Sequence, residues 1–390
     1  MSVHELALQR NKYKHLSDEE WRWFLQQVEG RERTADKLPA FADIEDWWYP
    51  VRLSCEQCSS ELTARYKASL IAGGQKRMAD LTGGYGVDTF FFSEHFEHTD
   101  YIEQNPELCR IAEHNFQLRI DRQKWEIHNT TAEEFLSSLS EKVGMTYDLI
   151  FLDPARRDSH GGKVFRLADC TPNVVELLPE LLKHGKQLLL KLSPMLDITQ
   201  AVKELPALSW NVHVVAVKNE VKEVLLFGQR DHTNGEGTIT AIDLDKKDQA
   251  FVFTREEERE ANYQLVNSRY ENGQWENGKW LYEPSASILK AGAYKLVAQR
   301  FSLLKLDVNT HLYISDRLIP DFPGRVWQIK EYPKTIPDGK ANILTRNYPL
   351  TPEQLKKKLH LRDGGTAYII GCRVNNKPTL FYAERVEDIH

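Results

Sequence analysis

Apolar and polar residues follow two different periods along this chain, which predicts a mixed α/β fold. Residues 1–50 carry apolar side chains at helical spacing behind a Ser-x-x-Glu capping box, Ser17–Glu20, and residues 61–72 repeat that spacing. Strand patterns then alternate with helix patterns, and the strands are KRMADLT, TDYIEQ, KWEIHN, YDLIFLD and KQLLLKLS. The alternation predicts a doubly wound sheet with these five strands parallel and its ligand at their carboxyl ends.

The pattern changes near residue 230. VHVVAVKNE and EVLLFGQR close the sheet, a polar stretch with glycine follows, and the run REEERE predicts a solvated helix face. Residues 282–303 predict one continuous helix. The remainder predicts short strands at RVWQIKEY and KANILTRNY, a helix capped by Thr351, and a hairpin, TAYIIGCRV–NNK–PTLFYAERV. These elements are typical of small α+β domains.

Length and composition narrow the class of protein. The 390 residues are 41% apolar, enough for more than one buried core, and no stretch approaches 18 uncharged apolar residues. The N-terminal residues MSVHELALQRNKYKHL lack an apolar signal core, and the five cysteines are few for this length. We therefore expect a cytoplasmic protein without a membrane helix or a disulfide scaffold.

Charge is distributed unevenly along the chain. The net charge is −6, yet residues 319–390 contain 12 Lys and Arg against 8 Asp and Glu, or +4. The rest of the chain contains 39 Lys and Arg against 49 Asp and Glu, a net charge of −10. A basic C-terminal part on an acidic body indicates an anionic partner at that end.

The first strand ends in ADLTGGYGVDT, which combines a carboxylate with a glycine turn. Glycine lets the backbone approach a ligand, and Glu103 after the second strand can accept hydrogen bonds from ribose hydroxyls. The dinucleotide fingerprint is incomplete because Thr89 replaces its third glycine, and Asp88 would repel a pyrophosphate. An acidic residue before the glycines suits an ammonium ligand, and S-adenosylmethionine (SAM) carries an ammonium and a sulfonium without phosphate. An NAD-dependent enzyme is the disfavoured alternative.

The order Asp-x-x-x-Gly-x-Gly, Glu, then Asp-Pro resembles class I SAM-dependent methyltransferases. The resemblance implies that Asp80, Gly84 and Gly86 hold the methionine part and that Glu103 holds the ribose. The usual third-strand carboxylate is absent, so Thr131 and the backbone are the candidates for adenine. The full set of expected SAM-binding residues is Gln57, Ser59, Asp80, Thr82, Gly84, Tyr85, Gly86, Thr89, Glu103, Gln104, Thr131, Ala132 and Asp153.

The fourth strand ends in YDLIFLDPARRD, and in these enzymes that tip lies beside the reactive methyl group. Asp153 can accept a hydrogen bond from a target nitrogen, and Pro154 stiffens the loop. Amino-methylating relatives often carry an aromatic residue where this chain has Arg156. Arg156 either stacks on a base or grips a phosphate, or it belongs with Arg157 to a surface ion pair. The segment KLSP at the end of the next strand has no cysteine, which methylation of uracil C5 through a nucleophilic cysteine would need.

Two other motifs have more than one interpretation. Cys55-x-x-Cys58 lacks two further ligands for zinc, so we expect no metal site. That stretch resembles the segment before the sheet in trimethylguanosine-synthase-like methyltransferases, whose loop covers SAM, which implies contacts from Gln57 and Ser59. The aromatic motif DWWYP either stacks a base or forms a core cluster that joins domains, and we favour the core cluster.

Across nearly its full length the chain resembles a bacterial family of SAM methyltransferases. The residues that carry the resemblance are EQCSSELTARYK, DLTGGYGVD, LDPARRD, YEPSASILKAG, FPGR and TRNYPLTPEQLKKKLHLRDGG. It implies a Rossmann-like class I sheet with an N-terminal helical segment and small α+β C-terminal domains. The implied domains are a helical segment at 1–50, the methyltransferase domain at 51–232, a linker and ferredoxin-like domain at 233–318, and a THUMP-like domain at 319–390.

THUMP domains bind RNA, so the resemblance implies structured RNA, tRNA or rRNA, as the substrate. The acceptor we expect is a base nitrogen such as a guanine amino group, and the expected RNA contacts are Arg346, Lys356, Lys357, Lys358 and Arg362. The three lysines also fit an ordinary solvated helix face. Two alternatives stay open, a methyltransferase of a protein or small molecule, and a non-catalytic RNA-associated factor that binds SAM.

Overall fold

The computed structural model describes residues 3–140, 146–156, 166–231, 236–246, 250–266, 270–271, 274–275 and 279–386. The chain divides into two compact units. Unit 1 holds Met1–Trp210 and Val224–Gly235, and unit 2 holds Asn211–Glu223 and Glu236–His390. Within the described ranges, no helix has both the length and the apolar character that crossing a bilayer requires.

The helices alternate with strands through the first half of the chain, as predicted. The α-helices are α1 Val3–Ala7, α2 Asp18–Thr34, α3 Pro39–Ala42, α4 Arg52–Gln57, α5 Glu61–Ser69, α6 Val87–Phe92, α7 Pro106–Arg119, α8 Ala132–Leu139, α9 Val174–His184, α10 Ile198–Glu204, α11 Arg255–Glu260, α12 Ala286–Ala291, α13 Lys295–Arg300 and α14 Pro352–Leu359. The capping box at the start of α2 is present, with Ser17 and Glu20 bonded reciprocally.

The strands fall into a large sheet region and several smaller pieces. They are β1 Gln75–Asp80, β2 Phe96–Ile102, β3 Trp125–His128, β4 Tyr147–Leu152, β5 Ala155–Arg156, β6 Cys170–Thr171, β7 Gly185–Leu192, β8 Trp210–Val217, β9 Glu220–Gln229, β10 Ile239–Asp243, β11 Phe251–Phe253, β12 Gln264–Leu265, β13 Tyr270–Glu271, β14 Gln274–Trp275, β15 Trp280–Pro284, β16 Leu304–Asp307, β17 Thr310–Ser315, β18 Gly324–Lys330, β19 Asn342–Arg346, β20 Ala367–Val374 and β21 Lys377–Arg385.

Unit 1 is built on a sheet with the order β9-β7-β4-β1-β2-β3. Strands β1, β2, β3, β4 and β7 run parallel, as predicted, and β9 is antiparallel to β7. The chain order reverses between β1 and β4, since β2 and β3 lie on one side of β1 while β4 and β7 lie on the other. This switch point opens a crevice at the carboxyl ends of β1 and β4, where ligands of such sheets bind.

The turn that follows β1 requires glycine at two positions. A Cβ on Gly83 would lie 2.2 Å from Cε2 of Tyr101, whose ring is fully buried. Gly86, which precedes α6, has a left-handed φ of 81°, and a Cβ there would lie 3.0 Å from Phe116. The turn therefore packs against β2 and α7 only because these residues have no side chain.

Unit 2 contains two sheet regions. Strand β10 pairs with β8 in parallel and with β11 in antiparallel orientation. The second sheet has the order β12-β16-β17-β15-β18-β21-β20-β19 and covers an apolar core. The predicted hairpin is β20–β21, and Asn375 and Asn376 form its two-residue turn with φ values of 45° and 65°, which asparagine tolerates.

The prediction of one helix over residues 282–303 was wrong. Residues 282–284 belong to β15, and the rest contains two short helices, α12 and α13. Gly292 ends α12 in a left-handed conformation, with φ of 85° and its N–H donating to Ile288. A glycine at this position is a helix stop signal that the apolar spacing concealed.

We expect Gly83→Ala to lower the free energy of unfolding by about 1–3 kcal/mol, because the new methyl group overlaps the buried ring of Tyr101. Urea denaturation measures the change. Gly73→Ala is the matched control, since a Cβ at Gly73 meets no atom within 4 Å. Equal midpoints for the two variants would show that the turn does not depend on close contact with Tyr101.

Candidate active site and cofactor pocket

A cavity of about 280 Å³ opens at the carboxyl ends of the parallel strands of unit 1. Its wall comes from the segment between α4 and α5, the turn after β1, the ends of β2 and β4, and the start of α8. The predicted SAM-binding residues in the wall are Gln57, Ser59, Asp80, Thr82, Gly84, Tyr85, Gly86, Glu103, Gln104, Thr131, Ala132 and Asp153. Thr89 lies beside the wall, where its hydroxyl donates to Asp80 over 2.5 Å.

Asp80 is buried at the end of β1. Its Oδ1 accepts the N–H of Thr82 over 3.0 Å, and its Oδ2 accepts the hydroxyl of Thr89. Burial raises the pKa of Asp80 to about 7, although these two hydrogen bonds oppose the shift. The carboxyl group is therefore close to half ionised at neutral pH, and a cation in the cavity would favour its charged form.

Glu103 follows β2 and holds the glycine turn. Its Oε2 accepts the N–H of Gly84 over 2.9 Å, and its Oε1 accepts the N–H of Asn105 over 2.8 Å. The hydroxyl of Tyr101 donates to the carbonyl oxygen of Gly84 over 2.6 Å. Because a carboxylate offers about four acceptor positions, these two bonds leave Glu103 with capacity for the hydroxyls of a ligand.

A buried polar cluster closes another part of the wall. Ser59 donates to Oδ2 of Asp88 over 2.7 Å, and the ammonium of Lys67 lies 3.1 Å from Oγ of Ser59 and 3.2 Å from Oδ1 of Asp88. Lys67 has no exposed side-chain surface, so its charge is offset by Asp88 inside the protein. The pair fixes Ser59 at the cavity and neutralises the carboxylate at the start of α6.

Thr131 caps α8 rather than standing free at the cavity. Its hydroxyl oxygen accepts the N–H of Glu134, and Glu134 bonds back to the N–H of Thr131, in a capping box. Ala132 and Thr131 both line the cavity. Thr131, which we predicted to contact adenine, thus lies at a helix start that a capping box holds in place.

The aromatic motif DWWYP packs within unit 1 as a core cluster. Trp47 is 6% exposed, and its Nε1–H donates to the hydroxyl of Tyr85 over 2.8 Å. The Tyr85 hydroxyl in turn donates to the carbonyl oxygen of Trp48 over 3.2 Å, and the Trp48 ring stacks on His114. These bonds tie the N-terminal segment to Tyr85 in the cavity wall.

The tip of β4 is tied to the same glycine turn. The backbone N–H of Asp153 donates to the hydroxyl oxygen of Thr82 over 2.6 Å. The Asp153 carboxylate forms an ion pair with Lys191 of β7. The following main chain is held by β5, in which Arg156 pairs with Cys170 of β6, while the side chain of Arg156 and all of Arg157 lie outside the described residues.

Sequence reasoning missed Lys67 and Lys191. Lys67 lies on the buried face of α5 with Ala64 and Ala68, and Lys191 follows three buried leucines in β7. Lysine is rarely buried without a partner, so a lysine within an apolar strand or helix face is the signal that could have found them.

The predicted RNA contacts lie on and around α14. Lys357, Lys358 and Arg362 are exposed, whereas Lys356 is 2.6 Å from Asp363 in an ion pair. Arg346 donates through Nε to Glu283 and through Nη1 to the carbonyl oxygen of Thr345. Its guanidinium group is thus already engaged by a buried carboxylate.

Among the described residues, one group of side chains has the chemistry of metal ligands. Ligand atoms of His98, Asp100 and Glu126 lie within 4.8 Å of one another. Asp100 already accepts hydrogen bonds from His128 and Arg77, which outweigh its burial and lower its pKa to about 2. The guanidinium of Arg77 beside the carboxylate opposes a second cation there.

The chain is similar to a solved structure and matches two domain families. The crystal structure of a putative methyltransferase from Porphyromonas gingivalis W83 is 32% identical in sequence, with a TM-score of 0.82, and covers 95% of this chain and 92% of its own. A ferredoxin-like domain family matches residues 280–323, and a family described as THUMP domain-like matches residues 323–385.

The chain belongs to this bacterial methyltransferase family. Two Mycobacterium tuberculosis proteins, from strains CDC 1551 and H37Rv, are named uncharacterized S-adenosylmethionine-dependent methyltransferases. Each is 22% identical to this chain over 365 residues, which is 90% of the chain and 92% of the relative. The protein is a SAM-dependent methyltransferase with a class I sheet, and SAM is its cofactor.

The charge of the cavity suits that cofactor. Its wall includes the carboxyl groups of Asp80, Asp88, Glu103, Glu133 and Asp153, and no Lys, Arg or His among the described residues. Because Lys67 and Lys191 offset Asp88 and Asp153, the carboxyl groups of Asp80, Glu103 and Glu133 are the ones that attract the ammonium and sulfonium of SAM and repel the pyrophosphate of a dinucleotide. The glycine turn leaves the cavity open beside Gly84, where an added Cβ would meet only the carbonyl oxygen of Thr82, at 3.7 Å.

We expect the affinity for SAM to rise between pH 6 and pH 8, because Asp80, with its pKa of about 7, loses its proton in this range and then attracts a cation. Calorimetric titration at several pH values measures the change, and Asp80→Asn should bind more weakly and reduce the pH dependence.

The control is Glu126→Gln, which removes an exposed carboxylate outside the cavity wall and should leave the pH profile of SAM affinity unchanged.

The same pKa makes the free energy of unfolding of the unliganded protein fall as pH rises from about 4 to about 7, because the folded state resists ionisation of Asp80. If SAM affinity depends on pH identically in the wild type and in Asp80→Asn, the pKa of about 7 does not belong to Asp80.

Proposed function

We propose that this methyltransferase acts in the cytoplasm on structured RNA, tRNA or rRNA, at a base nitrogen such as a guanine amino group. The observation that carries the RNA assignment is the exposed basic face around α14, in a region that matches a THUMP domain-like family. Lys357 and Lys358 of α14 and Arg362, which follows the helix, are exposed, and these three residues are what we call the α14 face. Cations on one side of a small domain are the usual means of holding a phosphate backbone.

The domain organisation we propose follows the sequence. A helical segment at 1–50 precedes the methyltransferase domain at 51–232, and residues 233–318 provide a linker and ferredoxin-like domain before the THUMP-like domain at 319–390. The N-terminal segment would stabilise the cofactor pocket, since Trp47 and Trp48 are bonded to Tyr85.

Asp153 and Pro154 would orient the acceptor nitrogen. When bound, SAM supplies a methyl group on a sulfonium, which transfers in line to a nitrogen lone pair. The Asp153 carboxylate would accept an N–H of that nitrogen, so that its lone pair points at the methyl group as the N–C bond forms and the C–S bond breaks. The nitrogen then loses a proton, which passes to Asp153 or to water.

Lys191 lies beside Asp153 at the end of β4 and offsets its negative charge. Its ammonium pairs with Asp153, so the carboxylate is held in place before an acceptor arrives. Thr82 holds the Asp153 backbone from the other side. The acceptor oxygen is thereby positioned from both β1 and β7.

We expect Asp153→Ala to lower methyl transfer about 100-fold or more, because the acceptor nitrogen loses its orienting carboxylate. The assay follows tritiated methyl groups from SAM into total RNA from a strain that lacks this gene. RNA binding by the variant should be unchanged. Asp153→Asn is the matched variant and should retain part of the activity, since its amide oxygen still accepts an N–H.

Two outcomes of this assay would contradict the proposal. Full activity of Asp153→Ala would show that the tip of β4 does not orient the acceptor. Absence of transfer to RNA by the wild type, with transfer to a protein or small-molecule fraction or with RNA binding alone, would favour the corresponding alternative function.

The RNA assignment predicts a salt effect. Replacing Lys357, Lys358 and Arg362 by alanine should reduce the slope of log affinity against log salt by about two to three, because each cation releases about one counterion on binding a phosphate. Fluorescence anisotropy with labelled bulk tRNA measures the slope. The control replaces Lys14, Arg119 and Lys203, three exposed cations of unit 1. Equal slopes for the two triple variants would exclude the α14 face as the RNA contact.

A further inference from the structure

Unit 2 contains a second cavity, of about 350 Å³, that the methyl-transfer chemistry does not use. It lies among the turn that joins β8 and β9, the end of β10, the start of α12, and the strands β18 and β21. Its described lining is Lys218, Asn219, Asp243, Asp245, Lys246, Ser285, Pro323, Gly324, Arg325 and Arg385. Four of these residues are cationic and two are anionic, so the wall has an excess of two positive charges.

The four cations come from four separate elements. Lys218 lies in the β8–β9 turn, Lys246 follows β10, Arg325 lies in β18, and Arg385 ends β21. Lys218, Lys246 and Arg385 are exposed, and within the described part of the chain none of the three has an ion-pair partner. The four cations that converge on this cavity from separate elements outnumber the two carboxylates of its wall, Asp243 and Asp245, and the excess positive charge attracts a ligand of opposite charge.

The turn that carries Lys218 is held rigidly. Lys218 and Asn219 have left-handed φ values of 52° and 59°. The N–H of Asn219 donates to Asp243 over 2.6 Å, and its side-chain oxygen accepts the N–H of Ala286 over 2.8 Å. Asp243 is therefore a buried structural acceptor, and Asp245 is the exposed carboxylate at the rim.

Arg325 is aligned by a buried carboxylate. Glu283 is 2% exposed and pairs with both Arg325 and Arg346, so two guanidinium groups share one negative charge. Arg325 donates to Glu283 through Nε over 2.9 Å and also through Nη2. The trio keeps one unbalanced positive charge beside the cavity, and Arg325 presents it from a fixed position.

We propose that this second cavity binds the phosphate group of a ribonucleotide. A phosphate matches the positive charge, the planar donors of Arg325 and Arg385, and the neutral donors of Asn219 and Ser285 in the wall. The phosphate comes either from an RNA chain, which rests on the proposed function, or from a free nucleotide. In the RNA case the cavity is a contact separate from the α14 face.

The test uses the full-length protein with two charges removed, Lys218→Asn and Arg385→Gln together. Asparagine tolerates the left-handed backbone at position 218, and both side chains are exposed, so the variant is expected to fold. The matched control is Lys334→Asn with Lys377→Gln, which removes two exposed lysines of unit 2 outside the cavity. The probes are uridine monophosphate, titrated by calorimetry at low salt, and labelled bulk tRNA, followed by anisotropy across a salt series.

We expect the cavity variant to bind uridine monophosphate at least tenfold more weakly than the wild type, while the control variant is unchanged. With tRNA, its salt slope should fall by about one to two. Loss of nucleotide binding with an unchanged tRNA slope would assign the site to a free nucleotide. Nucleotide binding by a wild type that neither binds nor methylates RNA would support the cavity and refute the proposed function. Wild-type behaviour of the cavity variant with both probes would overturn the inference.

Discussion

The turn from Thr82 to Gly86 is the constraint on which the candidate active site depends. Its backbone is bonded to β2 through the carbonyl oxygen of Ile102, the carboxylate of Glu103 and the hydroxyl of Tyr101. Its side chains reach β4 through Thr82 and the N-terminal segment through Tyr85. Since the ring of Tyr101 occupies the space where a side chain of residue 83 would lie, this network forms only with glycine there.

Electrostatics distinguishes the two cavities described above, one in each unit. The cavity of unit 1 is lined by carboxyl groups and suits the cationic part of SAM, whereas the cavity of unit 2 is lined by an excess of cations. Each wall therefore attracts one class of ligand and repels the other. The net charge of −6 hides this division, because it averages over both units.

Buried ion pairs set the positions of charged groups in both units. Lys67 with Asp88 fixes Ser59 at the first cavity, and Glu283 aligns Arg325 at the second. A buried charge is costly unless its partner and hydrogen bonds are in place, so removing one partner leaves the other unpaired at high cost. Such pairs hold side chains in one conformation, which is what a binding wall requires.

The sequence by itself determined the parallel strands of unit 1, the glycine turn and the carboxylates at the strand tips, because these are local patterns of apolar period and turn chemistry. It missed the break at Gly292, where apolar spacing continues through a helix stop. Lys191 beside Asp153, Lys67 beside Asp88, and the four cations around the second cavity are far apart in sequence. Only the tertiary structure shows that they lie together. Which distant side chains meet depends on strand order and register, and local sequence patterns do not specify these.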